Sequence, residues 1–248
     1  VYRSIVLLAT VLFVGISTNA GAQLRHYVPA KAPPKDTSTF LIFKDITIGP
    51  YVTAGVSRQN ENIPEGWHSN PGFAYSIGVM GDFTIKDWFG FTLALLYDTR
   101  DLYLATTPGD NTSIDMSIGY IAVQPSIRLF WLLVGLAFDF PTASNATETI
   151  SPFSHLGVTT PYMENLDVSP GDLNTLTELH ATLSIPIYQV ESADLHLILS
   201  GSYPLSKTIR STTSFDTTGY FSKTGQVVGQ GPLPTLEAGI TYQFDLLH

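Results

Sequence analysis

The amino-acid sequence predicts an all-β fold, an eight-stranded antiparallel up-and-down transmembrane β-barrel, and three observations carry that expectation. The first is residues 73–85, FAYSIGVMGDFTI, where Phe73, Tyr75, Ile77, Val79, Phe83 and Ile85 are apolar at alternate positions and only Gly81 interrupts. Ala74, Ser76, Gly78, Met80, Asp82 and Thr84 lie between them, so a period of two separates a bulky apolar face from a small, polar one. At about 3.3 Å per residue the stretch is twice a usual globular strand and long enough to cross a bilayer at a tilt. The second is that this pattern recurs along the chain, with links that are alternately long and short. The third is what the chain lacks: cysteine is absent, and beyond residue 22 no run approaches the 18 apolar residues of a helical span. Mean hydropathy is +0.16, an intermediate value suited to strands that turn one face in two toward lipid.

The chain opens like a secretory signal peptide. Arg3 supplies the positive end, an apolar run covers residues 5–16, and Ala20-Gly21-Ala22 offers small residues for cleavage before Gln23. The expected organisation is a signal peptide over 1–22, a flexible periplasmic lead-in over 23–45 and a barrel over 46–248. Pro29, Pro33 and Pro34 with scattered lysines and no periodicity mark the lead-in. An exported chain without disulfides needs another source of cohesion. A closed barrel provides one, because its ladder leaves no backbone group unpaired in lipid.

The first strand is expected over 46–57, with Ile48, Val52, Ala54 and Val56 on one face and Pro50 where its missing N–H is not needed. The second is 73–85. Lys86-Asp87-Trp88 turns the chain into a third over 89–99, where Phe89, Phe91, Leu93, Leu95 and Tyr97 alternate with small or polar residues. A fourth runs over 113–129. There Met116, Ile118 and Tyr120 share one phase while Ile121, Val123, Ile127 and Leu129 take the other, which reads as a β-bulge within the strand. The fifth, 132–140, sets Leu132, Val134, Leu136, Phe138 and Phe140 against Asp139. The sixth, 177–187, the seventh, 195–205, and the last, 235–244, repeat the alternation.

The long links are 58–72, 100–112, 141–176 and 206–233; the short ones are 86–88, 130–131 and 188–194. Outer-membrane barrels sort their connections this way, long outside and short in the periplasm. Aromatic residues fall into two groups, Trp88, Phe130, Trp131, Tyr188 and Phe244 near the short turns and Phe73, Tyr97, Phe140 and Tyr203 near the long loops. Two belts at headgroup level are expected of such a barrel. The localisation this implies is the cell outer membrane of a Gram-negative envelope. Ten strands would fit if the third long link held another hairpin. A soluble lipocalin-like binding barrel is the alternative architecture, with apolar residues inside and polar ones outside.

Tyr120-Ile121-Ala122-Val123-Gln124-Pro125-Ser126-Ile127-Arg128-Leu129 resembles a strand of PorT-like outer-membrane proteins, and 48–55, IGPYVTAG, is similar to their opening hairpin. The closing Ala238-Gly239-Ile240-Thr241-Tyr242-Gln243-Phe244 looks like the terminal strand of many outer-membrane barrels, although this chain runs on to His248. The resemblance implies a small barrel of the cell envelope and assigns no activity.

Eight strands enclose an interior just wide enough for side chains, which disfavours a diffusion pore. Alternation points Asp82, Asp98, Gln124, Arg128, Asp139, Glu178, His180 and Glu237 inward, as a polar network with Arg128 at its centre. No catalytic residue is assigned. The enzymatic alternative is a lipid-modifying hydrolase or acyltransferase, using His155 with Ser151 or Ser154 and Glu148 or Glu164, or His180 with Glu178; no G-x-S-x-G segment supports it. No cofactor or metal is implied: the six histidines never take close-ligand spacing, and Asp98, Asp101 and Asp110 offer at most a loose calcium patch. With a formal charge of −9 and no basic cluster, nucleic acid is an unsuitable partner. The expected partners are outer-membrane lipids and, through the long loops, other envelope proteins.

Overall fold

The computed structural model describes residues 43–60, 63, 67–106, 112–150, 162–166, 168–190, 192–209 and 232–247. The signal segment, the lead-in up to residue 42, His155 with Ser151 and Ser154, Asp110 and the Ser/Thr/Gly-rich 211–231 stretch lie outside these residues.

The strands are β1 (Asp45–Ser57), β2 (Trp67–Asn70), β3 (Gly72–Lys86), β4 (Phe89–Thr106), β5 (Thr112–Leu129), β6 (Leu132–Ile150), β7 (Tyr162–Leu166), β8 (Leu176–Val190), β9 (Ala193–Pro204) and β10 (Thr235–Leu247). Eight of them close a ring in the order β1-β3-β4-β5-β6-β8-β9-β10, and β10 pairs back onto β1. All these pairings are antiparallel. The fold is therefore the up-and-down barrel the alternation predicts. The two additional strands do not widen it: β2 pairs β4 beyond the end of β3, and β7 pairs the far end of β6. The hairpin that could have made ten strands thus forms outside the ring.

Polarity is inverted relative to a soluble barrel. Ile77, Leu93, Leu95, Leu183 and Ile240 face outward, with Leu95 52% exposed, whereas Thr53, Ser76, Thr92 and Thr182 are buried inside. Half-exposing a leucine-sized group to water forgoes about 1 kcal/mol of burial. Repeated around the ring, that cost makes water the wrong solvent for the outer face and lipid the right one. The lipocalin-like arrangement is excluded by the same observation.

Prolines within strands sit where the ladder is interrupted. No β10 partner is paired with Gly49 or Pro50, although β1 stays paired with β3 through both. Pro125 lies in a gap of the β5–β6 ladder, and Gly135 pairs with the next residue, Ser126; a Cβ on Gly135 would clash with the Pro125 carbonyl. A register shift follows Pro186. Proline offers no N–H to a ladder, so these gaps are where it fits. The turn between β5 and β6 is Phe130–Trp131, and Phe130 adopts a φ of 57°. For a non-glycine residue that costs about 1–2 kcal/mol. The N–H of Phe130 donates to the Trp88 carbonyl at 2.8 Å and its ring lies 6.3 Å from that of Trp88, which ties the β5–β6 turn to the neighbouring β3–β4 turn.

Two expectations need correction. β5 keeps one phase throughout: Ile114, Met116, Ile118, Tyr120, Ala122 and Ser126 are all buried on the same face. What changes is the chemistry of the interior, apolar toward the loops and polar toward the turns. The bulge lies instead on β6, where Gly119 pairs Ala143 and Tyr120 pairs Pro141, leaving Thr142 as the extra residue. Its hydroxyl donates to the Gly119 carbonyl at 3.2 Å. The second correction concerns the long links. β4 continues to Thr106 and β6 to Ile150, so much of 100–112 and 141–176 is sheet.

Candidate functional site

The lumen has four layers. Nearest the short turns, Arg128 pairs with Asp82 at 3.0 Å and donates to the Thr84 hydroxyl at 2.6 Å. Gly90 makes room for it: a Cβ there would stand 3.3 Å from Arg128 Nε and 2.6 Å from the Phe83 carbonyl. Ser184 and His196 Nδ1 meet at 2.9 Å in the same region, and Thr47 donates to Gln243 at 3.1 Å. Outside the barrel at this end, Lys44 hydrogen-bonds Asp87 and holds that exposed carboxyl below its usual range.

Above this lies an apolar layer of Tyr51, Met80, Ala94, Leu96, Ala122, Leu133 and Ile198. A cavity of about 10 Å³, room for a single water at most, touches Gln124, Ser126 and His180 beside it. Ser126 Oγ and His180 Nε2 are 2.7 Å apart.

The third layer is built on Arg100. Its guanidinium binds Asp98 on its own strand, Asp139 on β6 at 2.8 Å and Glu178 on β8 at 2.9 Å through Nη2, with a further Glu178 contact through Nη1. Tyr120 on β5 lays its ring 5.5 Å from the guanidinium carbon. Ser76 on β3 lies 3.0 Å from both Asp98 and Glu237, and Thr53 on β1 donates to Glu237 on β10. One network thus draws on seven of the eight ring strands. Arg100 is 2% exposed. A buried charge of this kind is tolerable only when fully paired, which the fork of the guanidinium achieves.

The fourth layer is dry. Leu102, Leu104, Ile114, Met116 and Ile118 point inward from the extended ends of β4 and β5. Val168, Leu173, Ile209 and Leu233 close over them from the long links, with Leu176 from the start of β8. Leu173 bridges to Ile209, the Asn174 N–H donates to the Thr208 carbonyl at 3.0 Å, and Ser144 donates to the Val168 carbonyl. β4, β5 and β6 with β2 and β7 therefore stand beyond the band as a sheet whose inner face is a soluble-type core.

Of the residues named from sequence, Asp82, Asp98, Asp139, Glu178, His180 and Glu237 are buried, and Gln124 and Arg128 are partly buried. They do not form one network. Arg128 binds only the Asp82 end among the described carboxylates, and the central cation is Arg100, which sequence reading left in a loop. The signal was present: Asp98, Arg100, Leu102 and Leu104 continue the period of two, but with polarity reversed beyond the arginine. His180 and Glu178 turn to different partners, Ser126 and Arg100, deep inside the lumen. Asp98 points inward and Asp101 does not, so they make no joint calcium patch, and among the described residues no metal-binding group of three acidic or histidine side chains occurs.

No family model matches the chain, and no curated protein is similar to it in sequence. The PorT-like resemblance accordingly rests on its short patches alone. Among solved structures, that of Ail, the attachment invasion locus protein of Yersinia pestis, in complex with the heparin analogue sucrose octasulfate, overlaps 81% of this chain and 99% of its own, at 10% identity and a TM-score of 0.37. The barrel assignment stands on the closed ring of ladders rather than on this overlap.

Proposed function

We propose that the protein is an integral outer-membrane β-barrel with a structural or interaction role, working through the surface beyond the band or as part of an envelope assembly. The observation that carries this reading is the pairing of an apolar outside with a filled inside. An apolar exterior calls for lipid, and a lumen packed with side chains leaves no passage for a solute. What remains available to a partner is the projecting sheet and the links around it. A lipid-modifying activity would need a nucleophile and base facing the bilayer or the loops. The described serine–histidine contacts, Ser126 with His180 and Ser184 with His196, lie in the lumen and are met by packing.

The test is the gel mobility of detergent-extracted protein, unheated against boiled, together with envelope fractionation. A heat-dependent shift in the outer-membrane fraction is expected. A chain recovered in the soluble periplasm with no shift overturns the reading.

A further inference from the structure

The void beside the apolar layer is lined by side chains of unlike chemistry. Met80 reaches it from β3 and His180 from β8. In the ring order these strands stand opposite each other. Two side chains that start on opposite walls and line one void of about 10 Å³ approach each other across it. Both are buried, Met80 at 3% and His180 at 6% exposure.

The two nitrogens of the imidazole are used unequally. Nε2 lies 2.7 Å from Ser126 Oγ, whereas Nδ1 is buried with no hydrogen-bond partner. In the tautomer whose Nε2–H donates to Ser126, Nδ1 carries a lone pair. Metal-bound histidines share this pattern, one ring nitrogen fixed by a hydrogen bond and the other given to the ion. The group across the void is a thioether, a poor hydrogen-bond acceptor but a good ligand for soft metals. The other polar side chains on the void are hydroxyls and the amide of Gln124, with no carboxylate among them. That set is unsuited to calcium or magnesium, which take six or more oxygens, and leaves zinc short of its usual four ligands. Charge agrees with a cation here. Glu178 lies two residues from His180 on β8, in the adjoining layer where four buried carboxyl groups share the one guanidinium of Arg100.

We infer that the void is a site for one soft monovalent metal ion, copper(I) by its chemistry, held between the Met80 thioether and His180 Nδ1. Its volume suits a single small occupant. The dry layer closes the loop side, so the ion enters from the turn side or as the barrel folds.

The experiment loads the full chain in detergent micelles with copper(I), kept reduced by ascorbate, and in parallel with silver(I), a soft ion that needs no reductant. Loading is done on the folded barrel and also during refolding from urea. Metal kept after desalting is counted per chain by mass spectrometry, and one ion is expected in at least one of the two modes. Met80→Leu, which nearly preserves volume, and His180→Gln should each abolish retention. Met163→Leu, on an exposed methionine outside the ring, should leave it unchanged. No retention in either mode, or retention left intact by either Met80→Leu or His180→Gln, overturns the inference. So does a preference for zinc(II) over silver(I). If a variant fails to fold, X-ray absorption of the copper-loaded Met163→Leu chain decides. The chain has no cysteine, so any sulfur neighbour of the metal is a methionine. Sulfur together with nitrogen around the copper supports the site, and a shell of nitrogen and oxygen alone defeats it.

Discussion

The same strands build two regions of opposite character. Between the turns and Arg100, β4 sets Leu93, Leu95 and Tyr97 outward and Thr92 and Asp98 inward; beyond it, Leu102 and Leu104 point inward while Asp101 and Tyr103 do not. Neither the hydrogen-bond pattern nor the period changes across this boundary. What changes is the solvent. In lipid the outer face must be apolar and the inside supplies polar satisfaction, whereas beyond the band water takes the outer face and the inside becomes an ordinary core. Alternation therefore establishes strands, and only the sign of the alternation tells which solvent a stretch was selected for.

Removing Arg100 tests the boundary most severely. Arg100→Ala strips the cation from a buried carboxyl cluster and should cost about 3–5 kcal/mol, read as a lower urea midpoint of the whole barrel. Next come truncations in the dry region. Leu102→Ala or Leu104→Ala should cost about 2–5 kcal/mol, and protease sensitivity should rise first in the segments that cover the cluster. Thr92→Ala, the inward counterpart within the band, should cost well under half as much. Charge insertion then separates the two outer faces. Leu95→Arg near mid-band should cost about 2–4 kcal/mol by urea titration in bilayers. Ser117→Arg, beyond Arg100 and opposite Asp101 and Asn145, should stay within about 0.5 kcal/mol. Equal costs at Leu95 and Ser117 would abolish the distinction of solvents. The smallest effects lie at the turns. Phe130→Gly relieves the positive φ, offset by lost packing on Trp88, for a net change of about 1 kcal/mol or less. Lys44→Ala, breaking an ion pair whose partners are 56% and 83% exposed, should leave the midpoint where it is.

All eight ring strands were legible from sequence, because a period of two over ten residues leaves little ambiguity about element type. Their outer ends were not. Residues 100–106 and 141–150 look like polar loop when lipid-facing hydrophobicity is the criterion, yet their inward residues Leu102, Leu104 and Ala146 are buried. The same criterion turned a change of interior chemistry along β5 into an apparent bulge, while the real bulge at Thr142 lies in a stretch read as loop. Arg100 was missed for the same reason. Its inward position becomes visible only when β4 is carried past Thr99. The inward direction of the eight named polar residues followed from phase alone, but which of them meet depends on register between distant strands, and a single sequence does not encode that openly.

The dry layer over the lumen has a consequence in electrical terms. An ion entering from the loop side would have to shed its hydration among Leu102, Met116, Leu173 and Ile209, at an idealised cost on the order of 20 kcal/mol, and would then meet a guanidinium already locked to three strands. The described residues thus set an apolar barrier ahead of the buried charges. A planar-bilayer recording should accordingly show no added ionic conductance when the protein is inserted.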